Sequence, residues 1–196
     1  MTRPTVRIYT DYKSPYAYVA DARLRALETR FGATLEWRPY TLRIAEYLDP
    51  VDTRSAHNWR KVRYFYMDAR RQANEQGLIL KGPKRIYNGY FASVGMLFAQ
   101  GHGFFPAWHA ALFPAFFEHR VDIDDLAQMK ALVDSLGGSG AAFEAYALGP
   151  GRAEHIAVVA EAEALGVFGC PTLVLDGELF FGGDRIDRVE ARLRGG

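Results

Sequence analysis

The chain has 196 residues, of which 49% are hydrophobic and 24% are charged, so it has the make-up of one globular domain and not of a disordered protein. Its 24 Lys and Arg residues nearly balance its 23 acidic residues, and this net charge of +1 offers no basic excess for nucleic acid. No apolar stretch reaches the roughly 18–20 residues of a membrane span, and no apolar signal core follows the N-terminus. We therefore expect a cytoplasmic protein without nucleic-acid or membrane partners, and the single cysteine, Cys170, excludes an internal disulfide.

The first elements predicted along the chain are a strand, a helix and a second strand. Val6–Thr10 alternates apolar and polar residues, as a strand does. Ser14 and Pro15 suit a helix start, because serine can cap free amides and proline fits the first helical position. Gly32 ends this helix, and Thr34–Tyr40 is the second strand. A helix joins the two strands, so we expect them to be parallel.

A long helical block follows, from about Asp52 to Leu165. Its first amphipathic helix is predicted from apolar residues at helical spacing: Val62, Phe65, Tyr66, Ala69 and Ala73. Ala107–His119 predicts a second helix, bent or interrupted at Pro114. Asp124 is the predicted cap of a third, and Arg152–Leu165 is the last helix of the block.

Strand signals return near the C-terminus. Pro171–Leu175 and Glu178–Phe181 are joined by Asp176-Gly177, a dipeptide typical of a type I′ hairpin turn. A final helix is predicted after Asp184.

This order predicts an α/β protein of thioredoxin-like fold with a large all-helical insertion. Residues 1–51 and 156–196 would form the thioredoxin-like domain, and residues 52–155 the inserted helical subdomain. In redox members of this fold, a Cys-x-x-Cys motif opens the first helix, where free helix amides stabilise a thiolate. Ser14 and Ala17 stand in those places here, so dithiol–disulfide exchange by the usual route is excluded.

Two positions carry the functional interpretation. Ser14 is a helix cap on spacing alone, but a hydroxyl beside free amides can also hold the thiolate of a ligand. Cys170-Pro171 stands where this fold places a cis-proline, so the backbone of Cys170 could pair with a bound peptide. The alternative for Pro171 is a residue that opens a strand, and for Cys170 a small buried hydrophobe.

The chain resembles the 2-hydroxychromene-2-carboxylate isomerase family, relatives of kappa-class glutathione transferases within the DsbA-like branch of the thioredoxin superfamily. The resemblance covers nearly the whole chain. It rests on Asp11-Tyr12-Lys13-Ser14-Pro15-Tyr16-Ala17, Lys61, Tyr64, Asp68-Ala69-Arg70-Arg71, Ala73, Gly166-Val167-Phe168-Gly169-Cys170-Pro171-Thr172 and Asp176-Gly177-Glu178-Leu179-Phe180-Phe181-Gly182-Gly183-Asp184-Arg185. The closing motif is the most specific of these.

The resemblance implies a glutathione-dependent enzyme. Ser14 would contact the glutathione sulfur, and the backbone of Cys170 and Pro171 would bind the peptide. Asp184, with Gly183 beside it, would receive the γ-glutamyl ammonium, and Lys61 would lie near the glycine carboxylate. From the residues alone, Asp184 could equally cap the last helix and Lys61 could lie on a solvated helix face.

Sequence motifs mark less clearly the pocket for the acceptor, the compound to which the glutathione thiolate would add. The resemblance places Asn88 near this pocket, and Tyr12 and Asn58 are the other candidates. A further family asparagine has Asp52 in its place here, so either Asn58 substitutes for it or no residue does. The five histidines show no zinc-type spacing, and no metal is expected. The expected partners are glutathione and a small aromatic or conjugated carbonyl compound, and the chain is expected to form a homodimer.

Three functions remain open at this stage. In an isomerase the glutathione thiolate adds to a conjugated carbonyl compound and leaves again, so glutathione is a catalyst. In a kappa-like transferase or peroxidase it is a substrate. A non-catalytic binding module that kept the fold is the third.

Overall fold

The computed structural model describes residues 3–195, and its centre is a four-stranded sheet in the order β2-β1-β3-β4. The strands are β1 (Thr5–Thr10), β2 (Thr34–Pro39), β3 (Thr172–Leu175) and β4 (Glu178–Phe181). As predicted, β1 and β2 are parallel, whereas β3 is antiparallel to β1 and to β4. The parallel first pair and the C-terminal hairpin expected from the sequence are thus confirmed.

Nine α-helices occupy the described part of the chain. They are α1 (Pro15–Phe31), α2 (Ile44–Leu48), α3 (Ala56–Glu75), α4 (Tyr90–Gly101), α5 (Phe105–Phe117), α6 (Leu126–Ser135), α7 (Gly140–Leu148), α8 (Pro150–Ala164) and α9 (Ile186–Gly195). Short 3-10 turns lie at Val51–Thr53 and Gly183–Arg185. Between residues 3 and 195, no helix combines the length and the apolar character needed to cross a membrane.

The hairpin turn has the predicted geometry. Asp176 and Gly177 have φ values of 52° and 79°, so both central residues adopt the left-handed conformation that a type I′ turn requires. Glycine reaches this conformation without a Cβ clash, and aspartate is among the residues that tolerate it. The turn places Glu178 opposite Leu175, and it sets the register that carries β4 to the edge of the sheet.

Helix α5 corrects one sequence-based expectation. Pro114 lies inside the helix and neither divides it nor ends it before Phe117. Proline removes one helical hydrogen bond, but less than one turn follows it here. Phe113, Phe116 and Phe117 are all buried, and this packing holds the last turn in place. The helix also begins and ends two residues earlier than the predicted Ala107–His119.

The cap of α6 is a second correction. Asp125 caps the helix, its Oδ1 accepting hydrogen bonds from the amides of Ala127 (2.8 Å) and Gln128 (3.1 Å). The carboxylate of Asp124, the predicted cap, instead accepts from the amides of Asn88 (3.0 Å) and Gly89 (2.7 Å). Both aspartates suit a cap locally, and the contact with a distant segment decides between them.

The helical block packs directly on the sheet. In particular, the side-chain amide of Gln100 in α4 donates to the carbonyl of Trp37 in β2 over 2.8 Å. Buried residues of the sheet and of the helical block form one continuous hydrophobic core. The predicted boundary between residues 155 and 156 falls inside α8. The division into two subdomains stays a prediction.

Candidate active site at the start of helix α1

Ser14 occupies the junction between β1 and α1. It is the N-cap of α1: its Oγ accepts a hydrogen bond from the amide of Ala17 over 3.2 Å, and Pro15 takes the first helical position. Gly32, with φ 65°, ends the helix as predicted. The capping interpretation of Ser14 is therefore confirmed, and the same side chain has a second contact.

That second contact is with the residue before Pro171. The Cys170–Pro171 peptide bond is cis. The Ser14 hydroxyl donates to the carbonyl oxygen of Cys170 over 3.1 Å, and the Pro171 carbonyl accepts from the amide of Gly182 in the segment after β4. The structure thus brings together Ser14, Cys170 and Pro171, three of the predicted site residues, although they are 156 positions apart in the chain.

The backbone amides of Tyr16 and Cys170 at this junction are without an acceptor among residues 3–195. The amide of Ala17 bonds to Ser14 Oγ and that of Tyr18 to the Ser14 carbonyl, which leaves the amide of Tyr16 free in the first turn of α1. The amide of Cys170 is free as well. Together with the positive end of the helix dipole, these donors favour an anion beside Ser14.

Cys170 contributes its backbone here and not its thiol. Its side chain is buried, and Sγ donates to the carbonyl of Tyr40 over 3.5 Å. Burial raises the pKa of the Cys170 thiol well above its ordinary value, so at neutral pH the sulfur is a protonated, unreactive thiol. The expectation of a small buried hydrophobe is confirmed.

A buried ion pair lies directly before Ser14. Lys13 Nζ contacts Asp11 Oδ2 at 2.5 Å, with side chains only 5% and 1% exposed. The Asp11 carboxylate also accepts from the amides of Lys13 (3.0 Å) and Leu42 (2.7 Å). Lys13 Nζ donates in addition to the carbonyl of Asn88 over 3.0 Å. The pair therefore joins the loop before Ser14 to the chain after β2 and to the segment before α4.

Tyr12 supports this loop from inside the core. It is 1% exposed, and its hydroxyl bonds to Nδ1 of the buried His109 over 2.9 Å. His109 Nε2 in turn bonds to Asp21 of α1 over 2.8 Å. Burial raises the pKa of Tyr12 well above its usual range, so the phenol stays neutral. The structure places Tyr12 behind the site, not in the wall of a pocket.

Asp184 lies in the 3-10 turn after β4, with a side chain 71% exposed. Its carboxylate accepts from Arg185 Nη1 over 2.6 Å, and no backbone amide of the described chain donates to it, so it does not cap a helix. Neighbouring Gly183 packs against Ala20 of α1: a Cβ at Gly183 would lie 3.1 Å from that of Ala20. Ala20 is about 9 Å along the helix axis from Ser14.

Lys61 lies in helix α3, which packs beside α1. Tyr16 of α1 donates to Asp68 of α3 over 3.0 Å, and Gln76 at the end of α3 donates to the carbonyl of Val19 over 3.0 Å. The two helices therefore run in the same general direction, and the earlier turns of α3 extend past the start of α1. Lys61 is in those turns, is exposed, and has no ion-pair partner among residues 3–195.

The two asparagines differ in their surroundings. Asn58 donates from Nδ2 to Asp49 over 2.9 Å and holds the loop before α3. Asn88 lies in the wall of a cavity of about 470 Å³. The walls of this cavity include Asn88, Tyr90, Phe91, Arg152, His155 and Ile156. The structure thus places Asn88 in the wall of this cavity and directs the Asn58 side chain to Asp49.

His155 is a cavity residue that sequence patterns did not single out. Its Nε2 bonds to Thr41 Oγ1 over 2.7 Å, and Thr41 Oγ1 bonds to Ser93 Oγ over 2.6 Å. Burial lowers the pKa of His155 below its ordinary value, so the imidazole is neutral at pH 7. No three His, Cys, Asp or Glu side chains in the described residues are grouped to hold a metal ion.

Comparison with known proteins agrees with this geometry. The family model described as the DSBA-like thioredoxin domain matches residues 5–194, almost the whole chain. The chain belongs to this family. The thioredoxin-like fold with a helical insertion, expected from the sequence, is confirmed.

Within the family, the chain is similar to curated isomerases. It is 25% identical to the 2-hydroxychromene-2-carboxylate isomerase of Sphingobium xenophagum, over 96% of this chain and 97% of that protein. It is 27% identical to the protein of the same name from Pseudomonas putida, over 96% and 93% of the two chains. The resemblance expected from the sequence is therefore confirmed.

Solved structures give the same result. A 2-hydroxychromene-2-carboxylate isomerase superposes with a TM-score of 0.81 at 25% identity, over 97% of this chain and 94% of the other. A probable DsbA oxidoreductase from Streptomyces coelicolor gives a TM-score of 0.78 at 20% identity, over 98% and 91%. The second similarity shows a shared fold alone.

Proposed function

We propose that this protein is a glutathione-dependent isomerase that acts on an aromatic or conjugated carbonyl compound similar to 2-hydroxychromene-2-carboxylate. The observation that carries the proposal is the contact between Ser14 and the carbonyl of Cys170 beside the cis-proline. The similarity to isomerases over 96% of the chain supports the reaction class.

The residues at the site fit glutathione. A tripeptide thiol needs a donor for its sulfur and a backbone partner for its central residue, and it needs opposite charges for its two ends. Ser14 and the free amide of Tyr16 are the donors for the sulfur, and the free amide of Cys170 is the backbone partner for the central residue. Asp184 is an exposed carboxylate that would receive the ammonium beside its present partner Arg185, and Lys61 is an exposed cation that would receive a carboxylate.

Bound glutathione would supply a thiolate for reversible addition to the conjugated carbonyl compound. The task of Ser14 is to stabilise that anion. Its hydroxyl proton now points to the Cys170 carbonyl, and rotation of the O–H bond would redirect it to a sulfur bound beside Ser14 while Oγ keeps its place. The helix dipole and the amide of Tyr16 add to this stabilisation, so the sulfur is held ionised near neutral pH.

The same residues argue against a dithiol oxidoreductase. Ser14 and Ala17 replace both cysteines of the redox motif, and the one cysteine of the chain is buried with a raised pKa. A mixed disulfide with a protein substrate therefore has no thiolate to start from.

The proposal is tested by incubating the protein with 2-hydroxychromene-2-carboxylate, with and without glutathione, and identifying the products. An isomerised product with all glutathione recovered supports it, and S-methylglutathione, which lacks a free thiol, should give no turnover. A stable glutathione conjugate would instead indicate a transferase. Absence of glutathione binding at millimolar concentration would leave a non-catalytic binding module.

A further inference from the structure

The cavity of about 470 Å³ beside the start of α4 has the size of a small-molecule site. It lies close to Ser14, because Asn88 in its wall accepts a hydrogen bond from Lys13, the residue before Ser14. His155 in the same wall bonds to Thr41, whose neighbour Leu42 donates to Asp11. Hydrogen bonds of Asn88 and of the Thr41-Leu42 segment therefore connect the cavity wall to the Asp11–Lys13 pair beside Ser14.

Arg152 is a cation at this cavity without an ionic partner. No carboxylate of residues 3–195 lies within ion-pair distance of its guanidinium, which is 6.0 Å from the centroid of the Tyr90 ring. Arg152 also lies in the first turn of α8, where the helix dipole disfavours a positive charge. Helix stability therefore does not account for an arginine here, whereas an anionic ligand would.

The one carboxylate in the cavity wall does not cancel this charge. Asp124 pairs with Nη1 of Arg85 at 2.7 Å, while Nη2 of the same arginine pairs with Asp122. Asp124 also accepts hydrogen bonds from the amides of Asn88 and Gly89. Its acceptor sites are turned to those partners. Among the charged side chains that line the cavity, Arg152 is therefore the one with no ionic partner within residues 3–195.

The remaining walls suit a flat apolar ligand. Tyr90, Phe91 and Ile156 line the cavity, and the Ile156 side chain, 61% exposed, offers an apolar surface to a ligand. His155 adds one directional polar group: its Nε2 is engaged with Thr41, and its Nδ1 has no partner among the described residues.

We propose that this cavity binds the acceptor substrate as a conjugated or aromatic carboxylate, with Arg152 pairing to the carboxylate and His155 Nδ1 hydrogen-bonded to a second oxygen. That the bound compound is the acceptor of the thiolate rests on the proposed function. The preference of the cavity for a carboxylate does not depend on that function. Arg152 is then the residue that sets specificity, because a neutral analogue of the same shape leaves its charge unpaired.

The test is calorimetric titration of the wild-type protein with trans-cinnamate and with trans-cinnamamide, its neutral analogue, in the absence of glutathione. A charge-assisted hydrogen bond predicts that cinnamate binds about tenfold or more tightly than the amide. Arg152→Gln should remove this preference and leave the affinity for the amide within about twofold. Arg71→Gln is the matched control, an exposed arginine on α3, and it should keep the preference.

Equal affinities for the two probes in the wild type, or an unchanged preference in Arg152→Gln, would overturn the inference. So would the lack of cinnamate binding at millimolar concentration. These failures are separate from failure of the proposed function: that function falls if glutathione does not bind, whatever the cinnamate titration shows. If glutathione binds as a thiolate and the preference is absent, the proposed function stands and this cavity is not the acceptor site.

Discussion

The hydroxyl of Ser14 lies 3.1 Å from the carbonyl oxygen of Cys170 and donates its proton to it. Serine has one proton to give and two lone pairs, of which one accepts from the amide of Ala17. Stabilisation of a ligand thiolate therefore requires the proton to leave the Cys170 carbonyl, while the cap to Ala17 can persist. The Ser14 side chain thus has two separable roles: its oxygen caps helix α1, and its hydroxyl proton is available to a ligand.

Replacement of Lys13 should destabilise the fold strongly. Lys13→Met leaves the Asp11 carboxylate buried without its counter-charge, and loss of one partner of a buried ion pair costs about 3–5 kcal/mol. Urea unfolding measures this loss, with the exposed Lys84→Met as control. The double variant Asp11→Asn/Lys13→Met should recover part of it. A loss below about 1 kcal/mol in the single variant would show that the pair is not buried as described.

His155 should make stability sensitive to acid. Burial lowers the pKa of His155 in the folded protein below the ordinary value of about 6.5, so below that pH the unfolded chain binds more protons than the folded one. The stability present above about pH 6.5 is therefore lost progressively as the pH falls. His155→Gln should reduce this loss in urea unfolding between about pH 7.5 and pH 5.

The control for that experiment is His57→Gln, which replaces an exposed histidine of α3. It should lose stability with falling pH as the wild type does. If His155→Gln and the wild type show the same pH dependence, the His155 imidazole is not desolvated.

Asp184 should recognise the amino group of glutathione. Asp184→Asn keeps the size of the side chain and removes its charge, so glutathione affinity should fall about tenfold, while an analogue without the γ-glutamyl amino group should lose much less. Because the Asp184 carboxylate is exposed to solvent, we expect the loss of affinity to lie at the lower end of the range for charge-assisted hydrogen bonds. Asp187→Asn is the matched control on α9. Equal losses for both ligands would remove the assigned role.

Ser14→Cys should trap glutathione. The introduced thiol would have a depressed pKa at the start of α1, and its thiolate would displace glutathione from oxidised glutathione to form a mixed disulfide. Ala17 provides no resolving thiol, so the adduct should persist. Mass spectrometry after incubation with oxidised glutathione detects it. The wild type is the control, because its buried Cys170 should form no adduct.

Parts of this fold that depend on neighbours in the chain could be predicted. The cap at Ser14, the stop at Gly32 and the turn at Asp176-Gly177 each require a particular residue type at one backbone conformation, and all three are observed. The choice of Asp125 over Asp124 as a cap could not be predicted. Both residues offer the same carboxylate, and only the contact of Asp124 with the distant Asn88 separates them.

The site divides in the same way. Ser14, Cys170 and Pro171 were found because sequence motifs mark them, and the structure brings them together. The Asp11–Lys13 pair and His155 were missed. In the sequence, the residues of this buried ion pair cannot be distinguished from those of a solvated turn. Thr41, the hydrogen-bond partner of His155, is 114 residues away from it in the chain. The expected homodimer and the cytoplasmic location stay predictions.

The most direct test of the central claim is an ultraviolet thiolate titration of glutathione bound to the wild type and to Ser14→Ala. The account predicts a bound thiol that ionises below the ordinary cysteine pKa of about 8.5, a rise in that pKa in Ser14→Ala, and wild-type behaviour in Ser14→Thr, which keeps a hydroxyl. Loss of the cap should cost Ser14→Ala about 1 kcal/mol, too little to unfold a typical domain. The same titration curve in the wild type and in Ser14→Ala would contradict the account.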